Sequence, residues 1–361
     1  MESSNIKILL VHTGGTIGSV QTEEQRETNT AEAKRTLFHR FETGKSKYAF
    51  LGSGIFEDTG FSPETFSENM TVKKLDGIVK HINEHLAKAD GYKGIIVLHG
   101  TDTLAYTAAL FSILFNNIRI PMMLVSGNRP PKDNDGNANA NFAAAVEMIV
   151  DGIAPNVYVP YGNMDGKMWL HLASSIRQCT NFSEDFYSID KNRMFLISDQ
   201  SKRGDLMRRA SDFSAARSFT DFSKLVELNG EKTMAIIPYT GLDYARIDAS
   251  GKKAVLHGTY HSGTLCVERH LEKNEEKYSS KSVLWFADKY KGETLIFMAP
   301  AKESSDNYSS TFDAIKNGGL IPLNMTFESA YAKLLVGTSQ GFEGEKLVYF
   351  MKKEINSEFA G

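Results

Sequence analysis

Cysteine is scarce in this chain of 361 residues, which contains only Cys179 and Cys266. Two thiols exclude a disulfide framework and a four-thiolate metal site. The chain also lacks an excess of charge of either sign, because 41 Lys and Arg residues face 44 Asp and Glu residues, giving a formal net charge of −3. A nucleic-acid-binding protein normally shows a basic excess or stripe. The near-neutral balance therefore argues against a nucleic-acid partner.

Long hydrophobic runs are missing as well. No segment approaches the roughly 20 apolar residues that a membrane-spanning helix needs. Residues 1–11 read MESSNIKILLV, without the basic start, longer apolar core and small-residue cleavage site of a signal peptide. We therefore expect a cytoplasmic protein with no membrane partner.

The composition that remains is that of an ordinary soluble globular protein. Hydrophobic residues make up 41% of the chain and charged residues 24%. Dividing the length by about 150 residues per domain predicts two domains.

Short apolar runs alternate with amphipathic stretches, a pattern typical of βα units. In the first half, the pattern predicts strands at 6–11, 94–98, 120–125 and 157–160 and helices at 72–89, 103–116 and 137–150. In the second half, it predicts strands at 234–238, 253–257 and 294–298 and helices near 280–289, 309–317 and 327–336. Near-continuous apolar strands between helices indicate a mostly parallel sheet that is covered on both faces.

A polar segment rich in Ser, Arg and Asp separates the two halves and shows no sustained helical or strand period. We predict an α/β protein with a larger N-terminal domain, residues 1–192, whose mostly parallel sheet lies between helices. Residues 193–232 form an interdomain connection, and residues 233–361 form a smaller C-terminal α/β domain.

The first predicted strand runs into a glycine-rich segment, HTGGTIG at residues 12–18. Glycines after a strand let backbone N–H groups approach an anion or oxyanion closely, and the Thr hydroxyls add a possible nucleophile. A plain glycine-rich turn explains the segment equally well. A dinucleotide site is disfavoured, because the spacing is not G-x-G-x-x-G and no apolar helix face follows.

A second hydroxyl motif, HGTDT at residues 99–103, follows another predicted strand. Ligands of open α/β sheets bind outside the carboxyl ends of the strands, so both motifs are expected to face one crevice. A Thr hydroxyl needs a neighbour that takes its proton, and Asp102 supplies a charged acceptor beside Thr101. Both residues also favour a helix N-cap, a role that can coexist with ligand contact.

Together these motifs resemble the bacterial-type L-asparaginases, and the C-terminal residues 356–361 are similar to the cytoplasmic subtype of that family. Further segments match in the same order along the chain, namely FSENMT at 66–71, Arg129-Pro130 with Asp135-Gly136 and Asn139, and YHSGT at 260–264.

The resemblance implies that Thr13 attacks the side-chain amide of L-asparagine, giving an acyl-enzyme and ammonia. It implies that backbone N–H groups around Gly14 and Gly100 lie near the developing oxyanion. Thr101 and Asp102 form a second hydroxyl–carboxylate unit in this scheme. No cofactor and no metal are expected.

The resemblance also implies how the zwitterionic substrate is held. Asp102 binds the α-ammonium group, Ser67 binds the α-carboxylate, and Glu68 faces the ammonium group. Members of the family assemble as dimers or tetramers with the site near a subunit boundary, so we expect a homodimer or homotetramer.

Two positions depart from the family pattern. Alignment on Phe186 and Ser188 places Arg177 where the family has a Lys that acts in proton transfer. Arginine can pair with Asp102 but cannot serve as a base near neutral pH, because its pKa is above about 12. A surface or interface ion pair explains Arg177 equally well.

The second departure is in the expected lid, the polar residues 19–48. The family has a Tyr shortly after the first Thr, whereas here Arg26 occupies the nearest equivalent position and Tyr48 is the first Tyr. A mobile lid over these residues would exclude water from the site.

Two other functions compete with an asparaginase. The amidase subunit of a tRNA-dependent amidotransferase shares these motifs, but it predicts a further domain ahead of the first strand, and only five residues precede Ile6. A non-catalytic amino-acid-binding protein is suggested by Arg177 and the missing Tyr. The sequence does not distinguish asparagine from glutamine, since one methylene is worth only about 1–3 kcal/mol.

Overall fold

The structure is a computed structural model, and it describes residues 6–21, 25–62, 64–88, 91–220, 222, 227–272, 275–302 and 307–360. The chain divides into two compact units. The N-terminal unit comprises Met1–Phe222 and Ile355–Ser357, and the C-terminal unit comprises Ser223–Glu354 and Glu358–Gly361.

The N-terminal unit contains a seven-stranded sheet and two separate two-stranded ladders. Its strands are β1 Ile8–His12, β2 Ser19–Gln21, β3 Arg26–Thr28, β4 Phe56–Asp58, β5 Gly94–Leu98, β6 Met122–Val125, β7 Val157–Gly162, β8 Met168–Leu172, β9 Ile176–Arg177, β10 Tyr187–Ser188 and β11 Met194–Leu196. The strand order is β11-β8-β7-β6-β5-β1-β4, in which the strands from β7 to β4 are parallel and β8 is antiparallel to both of its neighbours. The pairs β2–β3 and β9–β10 form separate antiparallel ladders.

Helices cover this sheet, and its central strands are buried on both faces. The helices are α1 Thr30–Thr43, α2 Val72–Lys88, α3 Leu104–Leu114, α4 Ala138–Val150 and α5 Arg203–Ala215. Every residue of β1, β5 and β6 is buried, as expected for parallel strands between helical layers.

The C-terminal unit repeats this plan on a smaller scale. Its strands are β12 Thr233–Ile236, β13 Ala254–Gly258, β14 Arg269–Glu272, β15 Glu275–Tyr278, β16 Leu295–Ala299 and β17 Ile321–Pro322, and its helices are α6 Val283–Lys289, α7 Ser309–Lys316, α8 Phe327–Ser339 and α9 Gly344–Lys352. A parallel sheet has the order β12-β13-β16-β17, while β14 and β15 form an antiparallel hairpin. The predicted fold class, a mostly parallel sheet with a smaller α/β region after it, is confirmed.

Two helices were missed by the sequence analysis. α1 lies within residues 19–48, which were predicted to be a polar lid, and its Leu37 and Phe41 belong to the core. α5 lies within residues 193–232, predicted to be a connection, and its Leu206 and Ala210 pack into the same core. Both helices bury residues spaced by four, but charged neighbours conceal that period in the sequence.

A buried ion pair anchors the C-terminal segment of the second unit. Lys333 of α8 and Glu358 form a salt bridge, and both side chains are completely buried. The Lys333 ammonium also donates to the Lys353 carbonyl and lies 4.8 Å from the centroid of the Phe359 ring. Burial lowers the pKa of Lys333, and the charge of Glu358 opposes that shift.

We predict that Lys333→Met lowers the free energy of unfolding by about 3–5 kcal/mol, because it leaves the Glu358 carboxylate buried without its partner. The double variant Lys333→Met/Glu358→Leu should recover most of this loss, since no buried charge remains. Urea unfolding followed by circular dichroism measures both. Lys352→Met, at the exposed end of α9, is the matched control and should change stability by no more than about 0.5 kcal/mol. Equal effects of Lys333→Met and Lys352→Met would contradict the prediction.

Candidate active site

The two hydroxyl motifs meet because β1 and β5 are parallel neighbours. His12 pairs with Leu98 in the ladder, so Thr13 and Gly100 follow the two strands at the same edge of the sheet. The backbone N–H and the hydroxyl of Thr13 both donate to the Leu98 carbonyl, at 3.1 and 2.8 Å. Thr13 is only 1% exposed, so its hydroxyl lies at the floor of the site.

The glycine turn after β1 depends on the absence of side chains. Gly14 and Gly15 have φ angles of +103° and +75°, which L side chains rarely adopt. A Cβ atom on Gly15 would lie 2.3 Å from the Gly100 Cα atom, and one on Gly14 would lie 2.3 Å from the Thr65 carbonyl oxygen. Three chain segments therefore pack backbone against backbone at this point.

Thr65 belongs to the third segment, and it joins the glycine turn through backbone hydrogen bonds. Its N–H donates to the Thr13 carbonyl, and its carbonyl accepts from the Gly15 N–H, each at 3.0 Å. The N–H groups of Gly14 and Gly100 have no acceptor within the described part of the chain. Among the described residues, the glycine turn and the neighbouring Gly100 segment thus each keep one backbone N–H donor without an acceptor.

Ser67 and Asp102 contact each other directly. The Ser67 hydroxyl accepts from the Asp102 backbone N–H at 3.2 Å and lies 3.3 Å from Asp102 Oδ2, to which it donates. The Thr103 hydroxyl donates to the Ser67 carbonyl at 2.9 Å. A Cβ atom on Gly100 would lie 2.4 Å from Ser67 Oγ, so this pairing requires glycine at 100. Ser67 is buried, whereas the Asp102 residue is exposed.

The other predicted site residues border this group. Thr101 is half-buried, and its carbonyl accepts a hydrogen bond from Gln178 Nε2 at 3.0 Å. Glu68 is exposed and lies beside Ser67 in a short 3-10 turn over Ser67–Asn69. Burial raises the pKa of the neighbouring Cys179 thiol, and the charge of Asp102 acts in the same direction.

Arg177 is placed differently from the expected pairing with Asp102. It lies in β9 opposite Tyr187 and is exposed, whereas Ile176 before it is buried. Among the residues that the structure describes, Arg177 forms no ion pair with Asp102 or any other carboxylate. The residue that reaches the Thr101 segment is Gln178, which the sequence analysis did not single out. The available signal was that side chains along a strand point alternately to opposite faces, so a buried Ile176 directs Arg177 outward and Gln178 inward.

The structure places the two candidate lid residues, Arg26 and Tyr48, in different segments. The backbone of Arg26 lies in β3, paired with Gln21 of β2, and its side chain is outside the described part. The Tyr48 hydroxyl donates to Asp151 Oδ1, and this bond together with burial raises the pKa of Tyr48 to about 12. Asp151 follows α4, which runs back from the site edge of the sheet for about 20 Å. Tyr48 is therefore not beside Thr13.

Each hydroxyl motif begins with a buried histidine, His12 in the first and His99 in the second. His99 is held between the Gly100 carbonyl, at 2.8 Å, and the Thr107 hydroxyl, at 3.0 Å, so its ring is engaged in local hydrogen bonds. Within the described residues, neither ring nitrogen of His12 has a hydrogen-bond partner, and His12 is 3% exposed. Burial lowers the pKa of each imidazole to about 4, so both rings are neutral at physiological pH.

No group of three or more His, Cys, Asp or Glu residues that could hold a metal ion occurs in the described part of the chain. The i, i+4 pair His81 and His85 is engaged locally instead, with Thr59 Oγ1 at 3.0 Å and the His81 carbonyl at 2.9 Å respectively. Within the described residues, no helix has both the length and the apolar character that a bilayer crossing requires.

Curated proteins similar to this chain include L-asparaginases and amidotransferase subunits. Over 139 residues the chain is 30% identical to L-asparaginase 1 of Escherichia coli strain K12, which is 37% of each protein. Over 204 residues it is 28% identical to a glutamyl-tRNA(Gln) amidotransferase subunit from Methanococcus maripaludis strain C7, covering 54% of this chain and 46% of the relative. The chain thus spans less than half the length of either relative.

Solved structures resemble the whole chain. The L-asparaginase of Thermococcus kodakarensis superposes with a TM-score of 0.68 at 19% identity, covering 98% of this chain and 99% of the other. L-asparaginase I of Vibrio cholerae gives a TM-score of 0.66 at 20% identity with the same coverage. At such identities the likeness shows a shared fold.

Residues 7–201 match a family described as "Asparaginase, N-terminal". This range covers more than half of the 361 residues and contains every predicted site residue, from Thr13 to Arg177. The chain belongs to the asparaginase family.

Proposed function

We propose that the protein is an amidohydrolase that converts L-asparagine and water to L-aspartate and ammonia without a cofactor. One observation carries the proposal: the buried Thr13 hydroxyl lies beside unused N–H donors of a glycine turn, on the same sheet edge as the Ser67–Asp102 pair. The similarity to L-asparaginases supports asparagine as the preferred amide.

In the proposed mechanism, Thr13 Oγ1 attacks the side-chain amide carbon. The N–H groups of Gly14 and Gly100 stabilise the oxyanion, since donors aimed at developing charge are worth several kcal/mol, roughly 2.7–4 in one measured case. The C–N bond breaks, the nitrogen takes a proton and leaves as ammonia, and an acyl-enzyme remains. Water then attacks the ester and releases L-aspartate, and the proton returns to Thr13.

The substrate's two charges match the polar groups around Ser67. We assign the α-ammonium group to the Asp102 carboxylate, with Glu68 facing it from the neighbouring turn. We assign the α-carboxylate to the Ser67 hydroxyl. Charge-assisted hydrogen bonds of this kind are roughly twice as strong as neutral ones, so they can fix the orientation of a small zwitterion.

Proton transfer is assigned to the Thr101–Asp102 unit. The exposed Arg177 side chain, without an ion pair to Asp102, suits the surface role better than the role of the family's Lys. Arginine could not accept the Thr13 proton near neutral pH in any case.

A second candidate, the amidase subunit of a tRNA-dependent amidotransferase, is favoured by the similarity to the amidotransferase subunit of Methanococcus maripaludis. Such a subunit would work with protein partners. Ammonia release by the purified chain alone, at a rate unchanged by added tRNA, would favour the asparaginase.

We also propose that the protein acts in the cytoplasm as a homodimer or homotetramer. A solved structure with the same fold, from Campylobacter jejuni, is titled a probable cytoplasmic L-asparaginase, with a TM-score of 0.65. Light scattering on the purified protein measures the oligomeric state directly.

We predict that Thr13→Ala lowers ammonia release from L-asparagine by at least about 1,000-fold, because the nucleophile is lost. Thr13→Ser, which keeps the hydroxyl, should retain measurable activity. Binding of L-aspartate, measured by calorimetry, should persist in Thr13→Ala, which separates loss of chemistry from loss of the site. Equal rates in wild type and Thr13→Ala would refute the nucleophile, and equal inertness with intact binding would favour an amino-acid-binding protein.

We predict that Arg177→Ala and Arg177→Lys change kcat by no more than about threefold, because an exposed side chain without a partner contributes little. Asp102→Asn is the comparison, and it should lower kcat/KM by at least about 100-fold, as expected for loss of a charged contact to substrate. Steady-state ammonia assays measure all three variants. If Arg177→Ala were as damaging as Asp102→Asn, Arg177 would have to be placed in the catalytic machinery.

A further inference from the structure

Lys74 occupies an unfavourable position for a lysine, the first turn of helix α2. The helix begins at Val72, and the Thr71 hydroxyl caps it by accepting the Lys74 backbone N–H at 3.3 Å. The helix dipole places partial positive charge at this end and favours acids there. The first turn nevertheless contains no acid and has Lys73 and Lys74 instead. Helix stability therefore does not account for this lysine.

The side chain of Lys74 is directed at the loop that carries Ser67. Its ammonium group donates to Thr65 Oγ1 at 2.9 Å and to the Asn69 carbonyl at 3.0 Å. These two acceptors lie on either side of Ser67 in the sequence. No carboxylate forms an ion pair with Lys74 in the part of the chain that the structure describes. The ammonium group thus ties both ends of the 65–69 loop to the start of α2.

The same loop touches each part of the candidate site. The Thr65 backbone bonds to Thr13 and Gly15, and Ser67 bonds to Asp102 and Thr103. Thr65 and Ser67 are buried, while Lys74 is half-buried beneath the loop. A displacement of the loop would therefore shift the groups around the substrate.

We propose that Lys74 is a positioning residue that sets the affinity of the site for the substrate's α-carboxylate. It acts through Thr65 and Asn69, which hold Ser67 in place, and it adds a positive charge at the carboxylate-binding loop. The inference rests on the proposed function, because Ser67 is assigned to the carboxylate there. It requires no direct contact between Lys74 and the reacting atoms.

The experiment compares Lys74→Met with Lys73→Met. Both substitutions remove one positive charge from the same helix turn, but Lys73 is exposed and has no role in tying the loop. For ammonia release from L-asparagine, Lys74→Met should raise KM by at least about tenfold with kcat within about threefold, the signature of lost binding shared by ground state and transition state. Lys73→Met should leave both constants within about twofold of wild type.

A double-mutant cycle tests the path through Thr65. Thr65→Val removes the hydroxyl that accepts from Lys74, so it should raise KM less than Lys74→Met does, and the double variant should be no worse than Lys74→Met alone. Additive effects would overturn the path. A Lys74→Met enzyme with unchanged KM, or one that loses only kcat, would overturn the inference. Melting temperatures within a few degrees of wild type establish that each variant is folded. If Lys74→Met does not fold, Thr65→Val alone supplies the test.

Binding of L-aspartate, measured by calorimetry, separates failure of this inference from failure of the proposed function. If wild type releases no ammonia but binds L-aspartate, the proposed reaction fails, and weaker binding by Lys74→Met than by Lys73→Met still supports the positioning role. If wild type is active and both lysine variants match it, the inference alone fails. If wild type neither reacts nor binds, both fail.

Discussion

The parallel pairing of β1 with β5 is the constraint on which the candidate site depends. It places His12 opposite Leu98, and the Leu98 carbonyl then receives two hydrogen bonds from Thr13. Because both strands are buried on both faces, a slip of one residue would exchange the side chains that pack against the two helical layers and disrupt the packing on each. The register that the core enforces is thus the register that brings Thr13 beside the 99–103 motif, and core packing fixes the position of the Thr13 hydroxyl.

Close backbone contact extends this constraint to a third segment. Gly15 lies against Gly100, and Gly14 lies against Thr65, at distances that no Cβ atom allows. The glycines were noted in the sequence as a means of approaching an anion. In the structure they serve a second purpose, because they let three segments converge until Ser67 reaches Asp102. A single physical property, the missing side chain, therefore supplies both the unused N–H donors and the packing that surrounds them.

How much the sequence could predict follows from how local each signal is. The strands β1 and β5 and the motifs after them were predictable, because an uninterrupted apolar run and a following glycine need no distant partner. α1 and α5 were missed since their apolar residues are diluted by charges, and only contact with the core identifies them as helices. Gln178 was missed for a similar reason. The approach of Gln178 to Thr101 depends on which face of the short strand β9 is buried. The family resemblance pointed to its neighbour Arg177 instead.

Several positions around the same three segments depart from local preference. A lysine stands in the first turn of α2, two consecutive glycines have positive φ angles, and His12 is buried with neither ring nitrogen bonded. The lysine and the unbonded histidine each cost folding free energy, typically about 0.3–3 kcal/mol, whereas glycine adopts a positive φ angle at little cost. Departures of this kind are expected where selection acts on chemistry rather than on stability, since natural sequences break local rules mainly at functional sites.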